Sequence, residues 1–207
     1  VTREPLPKGA GVDVMDRLRA ATAVAHRRLE RDLDLLRPPL LKDRFARLLE
    51  RFWGFHVVWE ATVGRHGDLA ALMTSRSRLV HLKRDLQALG LSAHEIARLP
   101  QCAAAADLSH TVEAAIGSLY VMEGSTLGGR LIGRALQGRP WLPEAGLTYF
   151  DPYRTETGTM WRAFQDHVRS ASSDADQPAI EAGATQTFEL LRGWLTRPPA
   201  SAQNSVP

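Results

Sequence analysis

Residues 110–137 read HTVEAAIGSLYVMEGSTLGGRLIGRALQ. From about Ser109 to Gln137 the apolar residues Val112, Ile116, Leu119, Met122, Leu127, Leu131 and Leu136 recur at helical spacing, and Gly138 and Pro140 close the pattern. Five glycines, Gly117, Gly124, Gly128, Gly129 and Gly133, interrupt otherwise good helix formers. Each costs a helix about 1 kcal/mol relative to alanine, so the segment gives up on the order of 4 to 5 kcal/mol. Gly117, Gly124 and Gly128 fall on nearly one face, a strip where a partner approaches the backbone itself. Two partners suit such a strip. One is a second helix, as in tight glycine-mediated crossings; the other is a flat, bulky ligand under a helix able to open and close over it.

The rest of the chain is helical too. After a Pro/Gly-containing lead, Val14, Leu18, Ala21, Ala25, Leu29, Leu33 and Leu36 recur every three or four residues until Pro38 and Pro39. Phe45, Leu48, Leu49, Phe52, Phe55, Trp59 and Val63 make a broad aromatic face that ends at Gly64. Leu79, Leu82, Leu86 and Leu89 lead to Gly90 as a helix-ending glycine. Ser92 and Glu95 form a capping box for a short helix ending at Pro100. Beyond the turn-rich stretch WLPEAGLTYFDPYR, helices are predicted around Met160 to Val168 and from near Pro178 through Ile180, Ala184, Phe188, Leu191 and Leu195. No alternating pattern of convincing length appears. The expectation is an all-α fold, with a flexible lead (residues 1–11), one helical domain (12–196) and a flexible tail (197–207).

Composition narrows the function classes. With 26 Lys and Arg against 23 Asp and Glu the net charge is +3, mildly basic, and no Lys/Arg block with interleaved aromatics suggests nucleic acid. Nothing approaches the length of a membrane-spanning run, and no signal peptide is evident, so a cytoplasmic protein is expected. The single cysteine, Cys102, forbids an intrachain disulfide or a CxxC pair and sits without an adjacent base, an inert thiol. Paired Glu-x-x-His motifs, HExxH and the phosphate-loop pattern are absent.

Among seven histidines His26 is best placed, because a helix puts Arg19, Thr22, His26, Leu29 and Leu33 along one stripe. Arg19 would sit about 10.5 Å along the axis from His26, a span suited to a ligated metal and a carboxylate at a macrocycle's edge. The plainer reading is a satisfied core histidine. His56, on the aromatic helix, is the rival; His66, His81, His94, His110 and His167 lie in polar surroundings and are expected to face water.

Taken together, LRAATAVAHRRLE and YVMEGSTLGGRLIGRAL resemble the proximal and distal heme-contacting segments of the heme oxygenase family, nearest to the bacterial branch that accompanies bacteriophytochromes or serves iron acquisition. The likeness covers most of the chain. It implies a heme sandwiched between a proximal helix and a glycine-rich distal helix. Heme would be cofactor and substrate, opened by O2 and an external electron donor to biliverdin, CO and ferrous iron. His26 would be the proximal iron ligand, leaving the opposite face open for O2. Gly124, Ser125, Gly128 and Gly129 would form the catalytic distal face. Arg19 and Tyr120 match groups that grip the propionates, with Arg154 and Arg162 as further candidates.

Ser125 stands where animal-type members carry an aspartate that organises water, a serine still able to hold it. Asp107, Glu113 and Glu123 receive no position. The implied partners are a ferredoxin-like or flavoprotein reductant and a bacteriophytochrome that takes up biliverdin; no nucleic acid or membrane partner is expected. Three alternatives remain: a non-catalytic heme carrier or sensor with the same pocket, a thiaminase-like hydrolase built on this fold, and a helical DNA-binding protein.

Overall fold

In a computed structural model of the chain, residues 12–37, 40–143 and 147–197 are described. The lead 1–11, nearly all of the tail 197–207 and the stop expected at Pro38 and Pro39 lie outside them. Among the described residues eight α-helices follow one another: α1 (Val14–Leu33), α2 (Lys42–Val63), α3 (Gly67–Met73), α4 (Leu79–Ala88), α5 (Ala93–Ala97), α6 (Val112–Leu136), α7 (Thr157–Ala171) and α8 (Gln177–Leu195). Short 3-10 turns at Ala103–Ser109 and Arg154–Glu156 complete the order, and no strand occurs among the described residues.

The helix starts follow from capping chemistry. Asp13 accepts from the Met15 amide at 2.8 Å, Thr111 from Ala114 at 3.2 Å, and Ser92 and Glu95 form the reciprocal box. Pro178 occupies the first turn of α8, where its missing N–H costs nothing. Gly90, at φ +112°, ends α4 in a conformation that side chains resist. One boundary differs from the periodicity. Asp34 turns left-handed and its N–H bonds Glu30 O, so α1 stops at Leu33 and Leu36 lies outside it, 57% exposed. The seven-residue α3 and the turn at Ala103–Ser109 are too short to show as a period.

A hydrophobic core draws on α1, α2, α4, α6, α7 and α8, with Leu18, Phe45, Phe55, Trp59, Leu82, Leu119, Phe164 and Ile180 fully buried within it. The Trp59 indole N–H is satisfied by Ser118 Oγ at 2.9 Å, tying α2 to α6 through the core. What positions the candidate site is α8. Both α1 and α6 pack chiefly against it and touch each other only marginally, so the two helices with the candidate residues lie over a shared support.

The glycines make one of these packings possible. A Cβ on Gly117 would collide with the Ile180 carbonyl and lie 2.6 Å from the Ala184 amide, while one on Gly183 would lie 2.7 Å from Ala114 Cα. Two helices of ordinary composition could not approach so closely.

Candidate functional site

Thr22 and His26 are one turn apart on α1; Tyr120, Gly124 and Gly128 are successive turns of α6. The faces come nearest where the Tyr120 phenol lies beside Thr22, with Arg19 close enough to act on it electrostatically. Burial pushes the phenol up in pKa, and the Arg19 charge works the other way. Thr22 itself is buried and passes its own proton to Leu18 O at 2.7 Å.

Beyond that contact the His26 ring is 52% exposed rather than inward-packed. Its edge meets Phe188 of α8 at a centroid distance of 5.3 Å, and Glu30, one turn on, approaches Nε2 at 3.5 Å. Phe188 thus packs against the ring, and Glu30 lies within ion-pair distance of it.

On α6 the glycine strip divides into three. Gly117 is consumed by the crossing with α8. Gly124 faces the Trp161 ring of α7, 3.9 Å from where a Cβ would be, and Trp161 in turn lies 5.9 Å from Tyr120. A Cβ on Gly128 would meet open space.

Gly129 points elsewhere. Its Cα rests on the backbone of Phe150, where a Cβ would run into the carbonyl. That loop is held by the buried Asp85 of α4, which accepts from Thr148 N at 2.8 Å and Tyr149 N at 2.7 Å. Ser125 is exposed, and its hydroxyl donates to Met122 O at 2.7 Å, leaving lone pairs that accept from solvent. Arg162 lines a cavity of about 400 Å³ with Leu127, Thr155, Thr157, Gly158 and Thr159, beside α6. Arg154 is exposed in the 3-10 turn with φ +50°.

The other histidines sort by environment. His56 is 1% exposed; Nδ1 lies 2.9 Å from Glu60 and Nε2 3.1 Å from the Tyr149 hydroxyl, so both nitrogens are engaged. A carboxylate only accepts, so Nδ1 carries the proton and Nε2 accepts from Tyr149. Burial holds the His56 pKa below the usual histidine value despite Glu60. The unfolded chain therefore takes up a proton below about pH 6.5 that the folded one refuses, and stability falls as the pH drops from there toward the depressed folded value. The melting temperature is expected to decline between about pH 7 and 5.5, and His56→Gln to flatten that slope; equal slopes in melts of both proteins would contradict this.

His94 and His110 are exposed as expected. Three others are not simply facing water. His66 and His81 are half-buried, the former bonding Ser109 O at 2.7 Å, and the half-buried His167 has its Nε2 shielded from solvent. Cys102 is 3% exposed, and burial pushes its thiol up, the opposite of what a nucleophile needs.

The periodicity missed a buried ionic cluster beside Gly124. Glu123, 2% exposed, takes an ion pair from Arg76, a second from Arg78 at 3.4 Å, and a bond from the Tyr153 hydroxyl at 2.9 Å. The one available signal was the place of Glu123 between Met122 and Thr126 on the buried face of α6; Arg76 and Arg78, in the loop before α4, gave none. Asp107 is exposed and Glu113 half-buried in the first turn of α6.

With this geometry in view, a family model described as Heme oxygenase matches residues 12–197. The chain belongs to the heme oxygenase family. A heme oxygenase of Xanthomonas campestris pv. campestris is 40% identical over 118 residues, an alignment spanning 55% of this chain and 64% of that protein. The match thus covers less than two thirds of that relative's length. Among solved structures, heme oxygenase from Leptospira interrogans superposes with a TM-score of 0.74 at 21% identity, covering 89% of this chain and 99% of that one. Heme oxygenase-2 from Synechocystis sp. PCC 6803, solved in complex with heme and NO, gives 0.75 at 19% identity over 89% and 84%. The fold is therefore the all-α fold of this heme oxygenase family. No helix among the described residues is long and apolar enough to cross a membrane.

Proposed function

We propose that the chain is a heme-degrading oxygenase, with residues 12–196 as its working unit. The observation that carries this reading is the pairing of faces: the α1 face of Arg19, Thr22 and the half-exposed His26 lies beside the α6 face of Tyr120, Gly124 and the open Gly128. Such a pair of faces suits a flat macrocycle with iron at its centre and carboxylates at one edge. Heme, when bound, is both the redox centre that activates O2 and the substrate opened to biliverdin, CO and ferrous iron.

The chain's own residues divide the work. His26 would hold the iron, Phe188 packs on its ring, and Glu30 lies one turn on beside it. Arg19 and Tyr120 grip the propionates, with Arg162 and Arg154 as further candidates. Gly124 and Gly128 keep side chains off the opposite face, and the Ser125 oxygen accepts from a water there. Gly129 serves the same face indirectly, by letting α6 seat against the Phe150 loop.

A ferredoxin-like or flavoprotein reductant supplies the electrons, in the cytoplasm, and a bacteriophytochrome is a fitting recipient of the pigment. The second reading, a heme carrier or sensor, is favoured by Ser125 alone, since serine has no carboxylate to order water.

The test is an absorption time course of the protein reconstituted with hemin and given ascorbate or a ferredoxin reductase system in air, with catalase present. Decay of the Soret band into a broad red biliverdin absorption is expected. A stable Soret band favours the carrier, and no Soret band removes the heme reading.

A further inference from the structure

We infer that Glu123 is a positioning residue for the heme cleft: with Arg76, Arg78 and Tyr153 it fixes α6 at Gly124 against the start of α7, and so sets how the macrocycle is seated and which edge is oxidised. The inference rests on the heme oxygenase reading above and adds to it a determinant of regiochemistry.

Three side chains from two separate segments converge on one carboxylate. Arg76 binds Glu123 through Nη1 and donates from Nη2 to Met160 O at 3.1 Å, so a single guanidinium joins α6 to α7. The next residue after Met160 is Trp161, whose ring is the wall facing Gly124. Arg78 reaches Glu123 Oε1 and Met122 O, both at 3.4 Å, and lies 4.9 Å over the Tyr153 ring. Its backbone N–H bonds Glu60 at 2.8 Å, and Glu60 also accepts from Ser77 at 2.6 Å. The tether therefore runs from α2 through the 76–78 loop to the residue immediately before Gly124.

Its composition argues for placement over stability. Arg76 and Arg78 are each 3% exposed, and among the described residues neither Nε finds a hydrogen-bond acceptor. Burying two guanidiniums and two carboxylates is costly, and well-packed apolar residues commonly serve a core as well or better. What an ion cluster offers instead is one defined geometry. Here that geometry controls the separation of Gly124 from Trp161. A shift of α6 there changes the space on one side of the cleft more than on the other, and a macrocycle turned in its plane presents a different carbon for attack.

Tyr153→Phe removes one hydrogen bond to Glu123 and keeps the ring under Arg78; Glu123→Gln keeps the shape and removes the charge. Each variant is melted as apoprotein, loaded with hemin, and read by the heme-methyl proton NMR shifts of its ferric cyanide form. The biliverdin isomer ratio after ascorbate-driven turnover is then determined by chromatography. For Tyr153→Phe we expect a cooperative melt close to wild type, an altered methyl pattern and an isomer ratio moved about twofold or more, with a larger shift for Glu123→Gln.

Folded variants with the wild-type methyl pattern and isomer ratio would overturn the proposal. If Glu123→Gln does not fold, Tyr153→Phe decides alone. A wild-type protein without a Soret band would instead fail the heme reading itself, before any variant is compared.

Discussion

His26→Ala is expected to leave the apoprotein almost unchanged and to abolish physiological turnover. The ring is half exposed, and its contacts are one edge on Phe188 and a 3.5 Å approach to Glu30, so truncation should move apoprotein stability by no more than about 0.5 kcal/mol. The heme site loses its iron ligand. Affinity should drop about a hundredfold, ~2.8 kcal/mol, with the remainder held by burial of the macrocycle and by Arg19 and Tyr120 at its edge.

Added imidazole fits the space the side chain leaves and should restore part of both the Soret spectrum and the turnover. No other histidine can substitute from the core, since both nitrogens of His56 are engaged by Glu60 and Tyr149. Hemin titration and ascorbate-driven turnover with catalase present check the prediction. A variant converting heme at the wild-type rate would remove His26 from the iron.

The fold was legible wherever apolar residues kept helical spacing for three turns or more, and the glycines of α6 were legible as an anomaly. Their division of labour was not. Gly117, Gly124 and Gly128 look equivalent on a helical wheel, yet one meets Ile180, one faces Trp161 and one meets nothing within 4 Å. Those differences come from α7 and α8, more than 30 residues away in sequence, and periodicity within α6 carries no record of them.

The pairing of Tyr120 with Arg19 entered through a family resemblance, and in the structure Arg19 lies close enough to Tyr120 to act on its phenol electrostatically. The cluster around Glu123 had no such route. Arg76 and Arg78 sit in a loop, where a run of arginines reads as solvated surface, and only the tertiary approach of α6 and α7 buries them.

Two adjacent glycines should respond to added side chains in opposite directions. Gly128 is exposed on the helix with nothing within 4 Å of its Cβ position, so Gly128→Leu replaces a poor helix former by a good one without collision. The apoprotein should gain about 0.8 kcal/mol and melt about 2 to 3 °C higher. Its leucine then occupies the face of α6 against which the macrocycle is to lie, so heme affinity and turnover should fall even as stability rises.

Gly129→Ala adds only a methyl, but the methyl runs into the Phe150 carbonyl. That carbonyl cannot easily retreat, because Asp85 holds the neighbouring Thr148 and Tyr149 amides at 2.8 and 2.7 Å. Overpacking against fixed backbone costs about 3 kcal/mol, and the melting temperature should fall by about 6 to 12 °C.

Thermal melts and hemin titrations of the two variants separate the roles that one strip of sequence combines. Unchanged heme binding and oxidation in Gly128→Leu would mean that this face of α6 does not meet the ligand. A Gly129→Ala melt within about a degree of wild type would mean that the Phe150 loop yields, and that Asp85 does not hold it as the hydrogen bonds imply.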